Sequence, residues 1–265
     1  MTSADDLIRL VESLRAPYGY ERSAKFAPGV LYDERCLLSM HRRALGPEPA
    51  RALAAMAAAL QAPKRLAVAI RDALPGAEVV HFGHEVGDGA VVRKLYFEYV
   101  SRARAAMAKG EPALVHLAYK WRPGAGEPVV ARYVWRPCET ATQAKSRIEA
   151  RLPQAQAPRA RAAALALVAR CADLADKRGL NMLDVEEPGS PRASLDMNVY
   201  DADLTLGAVE DIAASAGEAF AIAPERLAAT LGPFRDAALG HLATGLDRRG
   251  REFVTLYFGV EARAA

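Results

Sequence analysis

Three short stretches of this sequence place a tyrosine two residues after a polar side chain. They read Lys94-Leu95-Tyr96, Asn198-Val199-Tyr200 and Thr255-Leu256-Tyr257. Side chains two residues apart on a β-strand lie on the same face of the sheet. Ammonium and hydroxyl groups both donate hydrogen bonds to anions. The repeated spacing therefore predicts strand faces that could bind an anionic, partly apolar ligand.

The elements that must carry these stretches are β-hairpins separated by helices. Turn residues divide alternating apolar segments into four hairpins, with strands predicted at 78–86 and 90–100, 113–121 and 129–135, 181–186 and 194–201, and 239–246 and 252–260. Helices are predicted at 1–14, 50–60, 65–74, 142–151, 158–178, 208–216 and 224–231. Residues 25–40 contain strand-like pieces without a clear pattern. We therefore predict an α+β fold, an antiparallel β-barrel of repeated ααββ units with helices on the outside, as a single domain over residues 1–265.

Composition excludes several classes of protein. The chain has 265 residues, of which 51% are hydrophobic and 25% charged, so intrinsic disorder is excluded. The net charge of +3 is small and the basic residues are dispersed, which argues against nucleic-acid binding. No apolar run approaches the roughly 20 residues of a membrane span. Three scattered cysteines are typical of reduced thiols, so we expect a cytoplasmic protein without a disulfide framework.

The histidines and the familiar nucleotide or hydrolase motifs give no independent signal. His81 and His84 are three residues apart on one predicted strand, so they face opposite sides and cannot bind one metal ion together. His116 and His241 are isolated in sequence. No GxSxG, HExxH, Walker A or GxGxxG motif occurs. From the sequence we therefore predict no metal site.

The alternation of helices and hairpins, with tyrosine on one strand face, resembles the ABBA aromatic prenyltransferases. The length and hairpin rhythm are most similar to the cyanobactin peptide prenyltransferase branch of that family. The resemblance covers about 65–260 by pattern, and Lys94-Leu95-Tyr96 keeps the family's Lys-x-Tyr motif, whereas Asn198 and Thr255 depart from it. It implies a PT barrel that binds an isoprenoid diphosphate and transfers the isoprenoid group to an aromatic small molecule or a peptide.

That resemblance gives roles to particular side chains. The residues predicted to bind substrate are Lys94, Tyr96, Lys120, Arg132, Tyr133, Asn198, Tyr200, Thr255 and Tyr257. Cations and hydroxyl groups would stabilise the leaving diphosphate, and tyrosine rings would shield an allylic cation from water. A carboxylate must remove the proton of the nucleophile, and we rank Glu85, Asp196 and Glu98 in that order. No cofactor is required, although Mg²⁺ could assist through the diphosphate.

Two other classes of function stay open at this level. The first is a non-catalytic accessory protein of a biosynthetic cluster, whose open antiparallel sheet binds a small molecule or a partner. The second is an enzyme of different chemistry, such as a lyase or isomerase of a phosphorylated metabolite. For any single motif, a solvated lysine beside a half-buried strand tyrosine is the simpler interpretation. The recurrence in separate hairpins favours the enzyme.

Overall fold

A computed structural model describes residues 3–138, 140–172 and 181–264. The described strands are β1 (Tyr18–Ala27), β2 (Val30–Tyr32), β3 (Arg35–His41), β4 (Val79–Gly87), β5 (Ala90–Glu98), β6 (Ala113–Trp121), β7 (Val129–Trp135), β8 (Asn181–Glu186), β9 (Ala193–Asn198), β10 (Leu239–Leu246) and β11 (Glu252–Arg263). The described helices are α1 (Ala4–Glu12), α2 (Pro49–Ala59), α3 (Leu66–Ala73), α4 (Val100–Met107), α5 (Ala141–Arg151), α6 (Pro158–Ala172), α7 (Glu210–Ala219) and α8 (Pro224–Leu231). The end of the helix predicted at 158–178 lies outside the described residues.

The strands follow the order β11-β10-β9-β8-β7-β6-β5-β4-β3-β1-β2, and β11 also pairs with β1. This additional pairing closes ten strands into an antiparallel barrel, with β2 as the hairpin partner of β1. Two helices precede each of the hairpins β4–β5, β8–β9 and β10–β11, whereas the fully described stretch between β5 and β6 contains only α4. The predicted fold class, an α+β antiparallel barrel of ααββ units with helices on the outside, is confirmed.

The chain divides into two compact units. The first comprises Met1–Glu21, Glu34–Val134 and Glu261–Ala265, and the second comprises Arg22–Asp33 and Trp135–Val260. The single domain over residues 1–265 stays a prediction, and its residues 1, 2, 139, 173–180 and 265 lie outside the described part. Among the described residues, none of the helices combines the length and apolar character that a bilayer crossing requires.

Local sequence signals determine where the elements of the first unit begin and turn. The Ser3 side chain accepts a hydrogen bond from the Asp6 amide at 3.2 Å, and the Asp6 carboxylate accepts one from the Ser3 amide, which forms a capping box for α1. Asp88 and Gly89 join β4 to β5 with φ of 51° and 70°. Positive φ at both central residues is the requirement of a type I′ hairpin turn, so this turn fixes the register of the two strands.

The core of the first unit lies between one face of β3–β6 and the helices α1–α3. Phe82 and Leu95 on the strands are fully buried with Leu7, Leu53 and Ile70 on the helices. Because strand side chains alternate, the residues between these apolar positions lie on the opposite face of the sheet. The core therefore fixes which side chains of β3–β6 can form a site.

One polar pair is buried on the helix-facing side of the first unit. Arg93 is fully buried and its register partner His84 is 3% exposed. The Arg93 guanidinium donates from Nη1 to His84 Nδ1 at 2.7 Å and from Nη2 to the Ser3 carbonyl at 3.0 Å. Burial, aided by the positive charges of Arg93 and Arg35, lowers the pKa of His84 to about 4 against the opposing effect of Glu85 and Asp6. His84 is therefore neutral at neutral pH.

The second unit has its own core between β8–β11 and the helices α5–α8. Leu195, Met197 and Leu256 are buried on the strands against Leu167 of α6 and Ile212 of α7. The alternating positions of β9, β10 and β11 again form the opposite face of the sheet.

The strand predicted at 194–201 is too long. β9 ends at Asn198, and Tyr200 begins a 3₁₀ turn that spans Tyr200–Ala202. Val199 leaves the extended region with a ψ of 20°, because the chain bends there while the Val199 amide donates to the Gly240 carbonyl. Tyr200 therefore lies beyond the strand, and 42% of it is exposed.

Candidate functional site

A cation cluster lies on the polar face of β3–β6 in the first unit. In the strand register Arg35 is opposite Glu85, and Lys94 is opposite Lys120. Lys94 Nζ donates to Glu85 Oε2 at 2.6 Å, and Arg35 forms an ion pair with the same oxygen. These four residues, which we call the cation cluster, comprise three cations and one carboxylate. Their side chains therefore give this face a surplus of positive charge, which suits an anionic ligand.

A glycine makes room for the lysine at the centre of this cluster. Gly83 lies opposite Lys94 on the neighbouring strand. A Cβ atom at residue 83 would lie 3.1 Å from Lys94 Cβ and 3.2 Å from its Cδ. These separations are shorter than ordinary van der Waals contact, so a side chain at residue 83 would displace Lys94. The glycine therefore allows the lysine stem to lie across β4 and to reach Glu85.

Four aromatic rings lie on the same face as the cation cluster. Tyr96 and Tyr133 are 5.7 Å apart between ring centroids, and His116 lies 5.6 Å from Tyr133 in an edge-to-face arrangement. His81 lies 6.1 Å from Tyr96 and 5.7 Å from His116. Such separations are typical of favourable aromatic pairs. This aromatic cluster can offer π faces and phenol hydroxyl groups to a ligand bound beside the cations.

A chain of hydrogen bonds connects three strands next to these rings. Ser39 Oγ lies 2.7 Å from His81 Nδ1, and His81 Nε2 lies 3.0 Å from Glu98 Oε2. Burial, the largest single effect, raises the pKa of Glu98, but the hydrogen bond from His81 and the charges of His81, His116 and Arg104 outweigh it and lower the pKa to about 2. Glu98 is therefore ionised at neutral pH and bound to the imidazole.

The second unit carries a separate cluster on the polar face of β9–β11. His241 Nδ1 lies 2.7 Å from Asp196 Oδ1, and the His241 ring stacks on Tyr257 with centroids 3.8 Å apart. Asn198 is the register partner of His241. The Tyr200 ring lies 6.2 Å from His241 although it is outside the strand. An imidazole held between a carboxylate and a phenol ring can accept or donate a proton.

The structure brings most of the predicted site residues together within each unit. In the first unit Glu85, Lys94, Tyr96, Glu98, Lys120 and Tyr133 share one face. In the second unit Asp196, Asn198, Thr255 and Tyr257 share one face, and Thr255 is almost fully buried. Their roles stay predictions.

Arg132, one of the residues predicted to bind substrate, lies on the opposite face of β7 from Tyr133. β7 alternates between the buried residues Ala131 and Tyr133 and the exposed side chains of Val130 and Arg132. Because neighbouring side chains on a strand face opposite sides, Arg132 cannot share the face of Tyr133. The guanidinium that accompanies Lys94 is that of Arg35.

Sequence reasoning missed five residues of these sites, namely Arg35, Ser39, His81, His116 and His241. For His116 the sequence did contain a signal, namely the alternation of side chains along a strand. His116 is four residues before Lys120 on β6, so the two side chains lie on the same face. Arg35 and Ser39 lie on β3, within the stretch that lacked a clear pattern. Only the pairing of β3 with β4 shows that they face Glu85 and His81.

Comparison with known proteins supports the fold. No family model and no curated protein sequence matches the chain. Thirty-four chains of solved structures match it. The crystal structure of AnaPT from Neosartorya fischeri matches with a TM-score of 0.54 and 11% identity, over 93% of this chain and 78% of AnaPT. The crystal structure of NotF prenyltransferase matches with a TM-score of 0.47 and 12% identity, over 90% of this chain and 80% of NotF. The likeness to AnaPT shows that the chain has the PT-barrel fold predicted from its sequence.

Proposed function

We propose that this protein is a prenyltransferase that moves an allylic isoprenoid group from its diphosphate to an aromatic or peptide nucleophile. The observation that carries the proposal is the cation cluster of Arg35, Lys94 and Lys120 next to the rings of Tyr96 and Tyr133, in a chain with the PT-barrel fold. The peptide acceptor class follows from the resemblance to the cyanobactin branch.

The cation cluster would bind the diphosphate and stabilise it as it leaves. When the allylic C–O bond breaks, the diphosphate takes the bonding electron pair and gains negative charge on its bridging oxygen. Lys94 and Lys120 lie on neighbouring strands in direct register, so both ammonium groups can reach one diphosphate. Charge-assisted hydrogen bonds from these groups and from Arg35 would lower the barrier to this step. Mg²⁺ could share the charge through the phosphate oxygens.

The aromatic cluster would protect the allylic cation. Tyr96 and Tyr133 present rings whose π faces attract a cation. Tyr133 is buried and Tyr96 is half-buried, so the two rings would limit the access of water to that cation. The nucleophile then attacks the allylic carbon and forms the new bond. These roles need one polar and one aromatic region side by side, which is how the residues of β5–β7 are arranged.

Among the three predicted bases, we now favour Glu98. Glu85 is engaged with Lys94 and Arg35, so it balances charge in the cation cluster. Glu98 is ionised, and its hydrogen bond with His81 connects it to the aromatic cluster. A carboxylate of low pKa is a weak base, but the arenium cation formed by attack of an aromatic ring is a strong acid. Glu98 would accept its proton directly or through His81.

Ligand-induced thermal stabilisation tests the first half of this proposal. Dimethylallyl and geranyl diphosphate should each raise Tm, and at equal concentration by more than inorganic pyrophosphate, because the isoprenoid adds contacts with the aromatic cluster. Lys94→Ala should lose most of this shift. Lys109→Ala, which removes an exposed lysine after α4, is the matched control and should keep it. Absence of stabilisation by every diphosphate would refute the binding site.

Mass spectrometry of acceptors incubated with dimethylallyl diphosphate tests the second half. Products heavier than the acceptor by one isoprenoid unit are expected for tryptophan derivatives, tyrosine-containing peptides or phenolic compounds. The accessory-protein alternative predicts binding without any transfer. It also assumes an open sheet, whereas the pairing of β11 with β1 closes the sheet. Diphosphate binding with no product from any acceptor class would favour that alternative over the enzyme.

A further inference from the structure

Two histidines and one glutamate meet on three adjacent strands of the first unit. Glu98 of β5 is the register partner of His116 of β6, and His81 of β4 lies diagonally across from Glu98. One ligand atom from each of these residues lies within 4.8 Å of the other two. His81 and Glu98 are largely buried, with 12% and 25% of their side chains exposed. The three side chains therefore converge on one point of the strand face.

We propose that His81, Glu98 and His116 bind a divalent transition-metal ion, with Zn²⁺ as the reference ion. Two imidazole nitrogens and one carboxylate oxygen form a donor set that such ions prefer. Ligand bonds of about 2.0–2.2 Å in tetrahedral geometry separate the donor atoms by roughly 3.3–3.6 Å. His81 Nε2 and Glu98 Oε2 are already 3.0 Å apart. Small side-chain rotations of His116 would complete the set.

Ser39 would hold His81 in the orientation that such an ion requires. Metal-binding histidines commonly donate their other ring N–H to an oxygen, which fixes the tautomer. Ser39 Oγ lies 2.7 Å from Nδ1 of His81 and can accept that hydrogen bond. The Nε2 lone pair would then point towards the ion and Glu98. Ser39 is a positioning residue in this proposal and does not touch the metal.

The chemistry of the donor set limits what the site would accept. Three protein ligands leave at least one coordination position for water or for an oxygen or nitrogen atom of a ligand. The rings of Tyr96 and Tyr133 lie 6.5 Å and 5.6 Å from that of His116, so the additional ligand would be aromatic or contain a phenol or amine. Mg²⁺ prefers an all-oxygen environment and should bind weakly. The cation cluster contributes no ligand to this site. Glu98 and His81 cannot accept a proton while their lone pairs bind the ion, so the proton transfer assigned to Glu98 belongs to the metal-free protein.

Cobalt spectroscopy and calorimetry test this inference without any assay of activity. The full chain is freed of metal with EDTA and titrated near neutral pH with Co²⁺, whose visible absorption reports nitrogen and oxygen coordination, and with Zn²⁺ in a calorimeter. We expect saturation at one equivalent and displacement of Co²⁺ by Zn²⁺, but no comparable binding of Mg²⁺.

Variants distinguish this site from adventitious surface binding. His116→Gln and Glu98→Gln should each weaken Zn²⁺ binding by more than about a hundredfold, and Ser39→Ala by roughly 10- to 100-fold. His41→Ala removes an exposed histidine of the same unit and should leave the affinity unchanged. Circular dichroism verifies that each variant is folded. Failure to saturate at one equivalent, or equal Zn²⁺ affinity in folded His116→Gln and in the unmodified chain, would overturn the proposal.

Discussion

Replacement of His84 should remove a large pH dependence from the stability of the protein. His84 is 3% exposed, lies against the buried Arg93 guanidinium and has a pKa of about 4. In the unfolded chain its pKa returns to about 6.5. Between these two values the unfolded state binds a proton that the folded state does not. The contribution of neutral His84 to the free energy of unfolding is therefore fully present above about pH 6.5. This contribution is lost as the pH falls towards 4.

The size of this effect follows from the difference between the two pKa values. The pKa of His84 differs by roughly 2.5 units between the folded and the unfolded state. This difference corresponds to about 3 kcal/mol in the free energy of unfolding, because each pKa unit is worth about 1.4 kcal/mol. That is a substantial fraction of the roughly 5–15 kcal/mol by which a domain is stable. The loss should be steepest between pH 6 and 4.5, where it approaches about 1.4 kcal/mol per pH unit.

Urea denaturation at a series of pH values measures this contribution. His84→Gln keeps a polar group that can accept from Arg93 but cannot be protonated. The variant should be less stable at neutral pH, and the stability difference between it and the unmodified protein should shrink as the pH falls from 6.5 to 4.5. Glu98 has a low pKa and affects both proteins equally at still lower pH. Parallel pH profiles in the two proteins would refute the assignment of a neutral, buried His84.

Two further substitutions test the packing of the strands. Gly83→Val should weaken pyrophosphate binding on the order of tenfold in calorimetry, because the new side chain displaces Lys94 from its place 3.1 Å away; an unchanged affinity would contradict the role of Lys94. Gly245→Ala should reduce the free energy of unfolding by about 3 kcal/mol or more, because φ is 142° and the new Cβ would lie 2.2 Å from the Ala193 carbonyl oxygen. Gly250→Ala, at a positive φ with open space around it, is the control and should cost no more than about 1–2 kcal/mol.

The local features of the fold could be read from the sequence. The Asp88-Gly89 turn needs no information beyond its own residues, since both adopt the positive φ that such a turn requires. Proline at the start of α2 and α8 likewise marks helix beginnings. Because side chains alternate along a strand, the sequence also predicts that Leu95 and Lys94 lie on opposite faces of β5. In the structure Leu95 is buried and Lys94 is only partly buried, which agrees with that prediction.

The composition of the candidate site could be predicted only in part. Lys94 and Tyr96 lie on one strand, so their common face follows from spacing alone. The meeting of His81, Glu98 and His116 depends on the register of three strands, and register is a property of pairing between distant segments. Separation of the histidines in sequence concealed their proximity. For the same reason Ser39 could not be connected with His81 before the pairing of β3 with β4 was known.

The pairing of β11 with β1 has a consequence for how the protein is made. β1 begins at Tyr18 and β11 ends at Arg263, so the last barrel strand to be synthesised is a neighbour of the first. Throughout synthesis the nascent chain carries a strand edge on β1 whose hydrogen-bonding groups have no partner until β11 emerges. Such long-range closure is slow compared with hairpin formation. Chaperones that bind extended segments would therefore be expected to protect this edge until β11 has been synthesised.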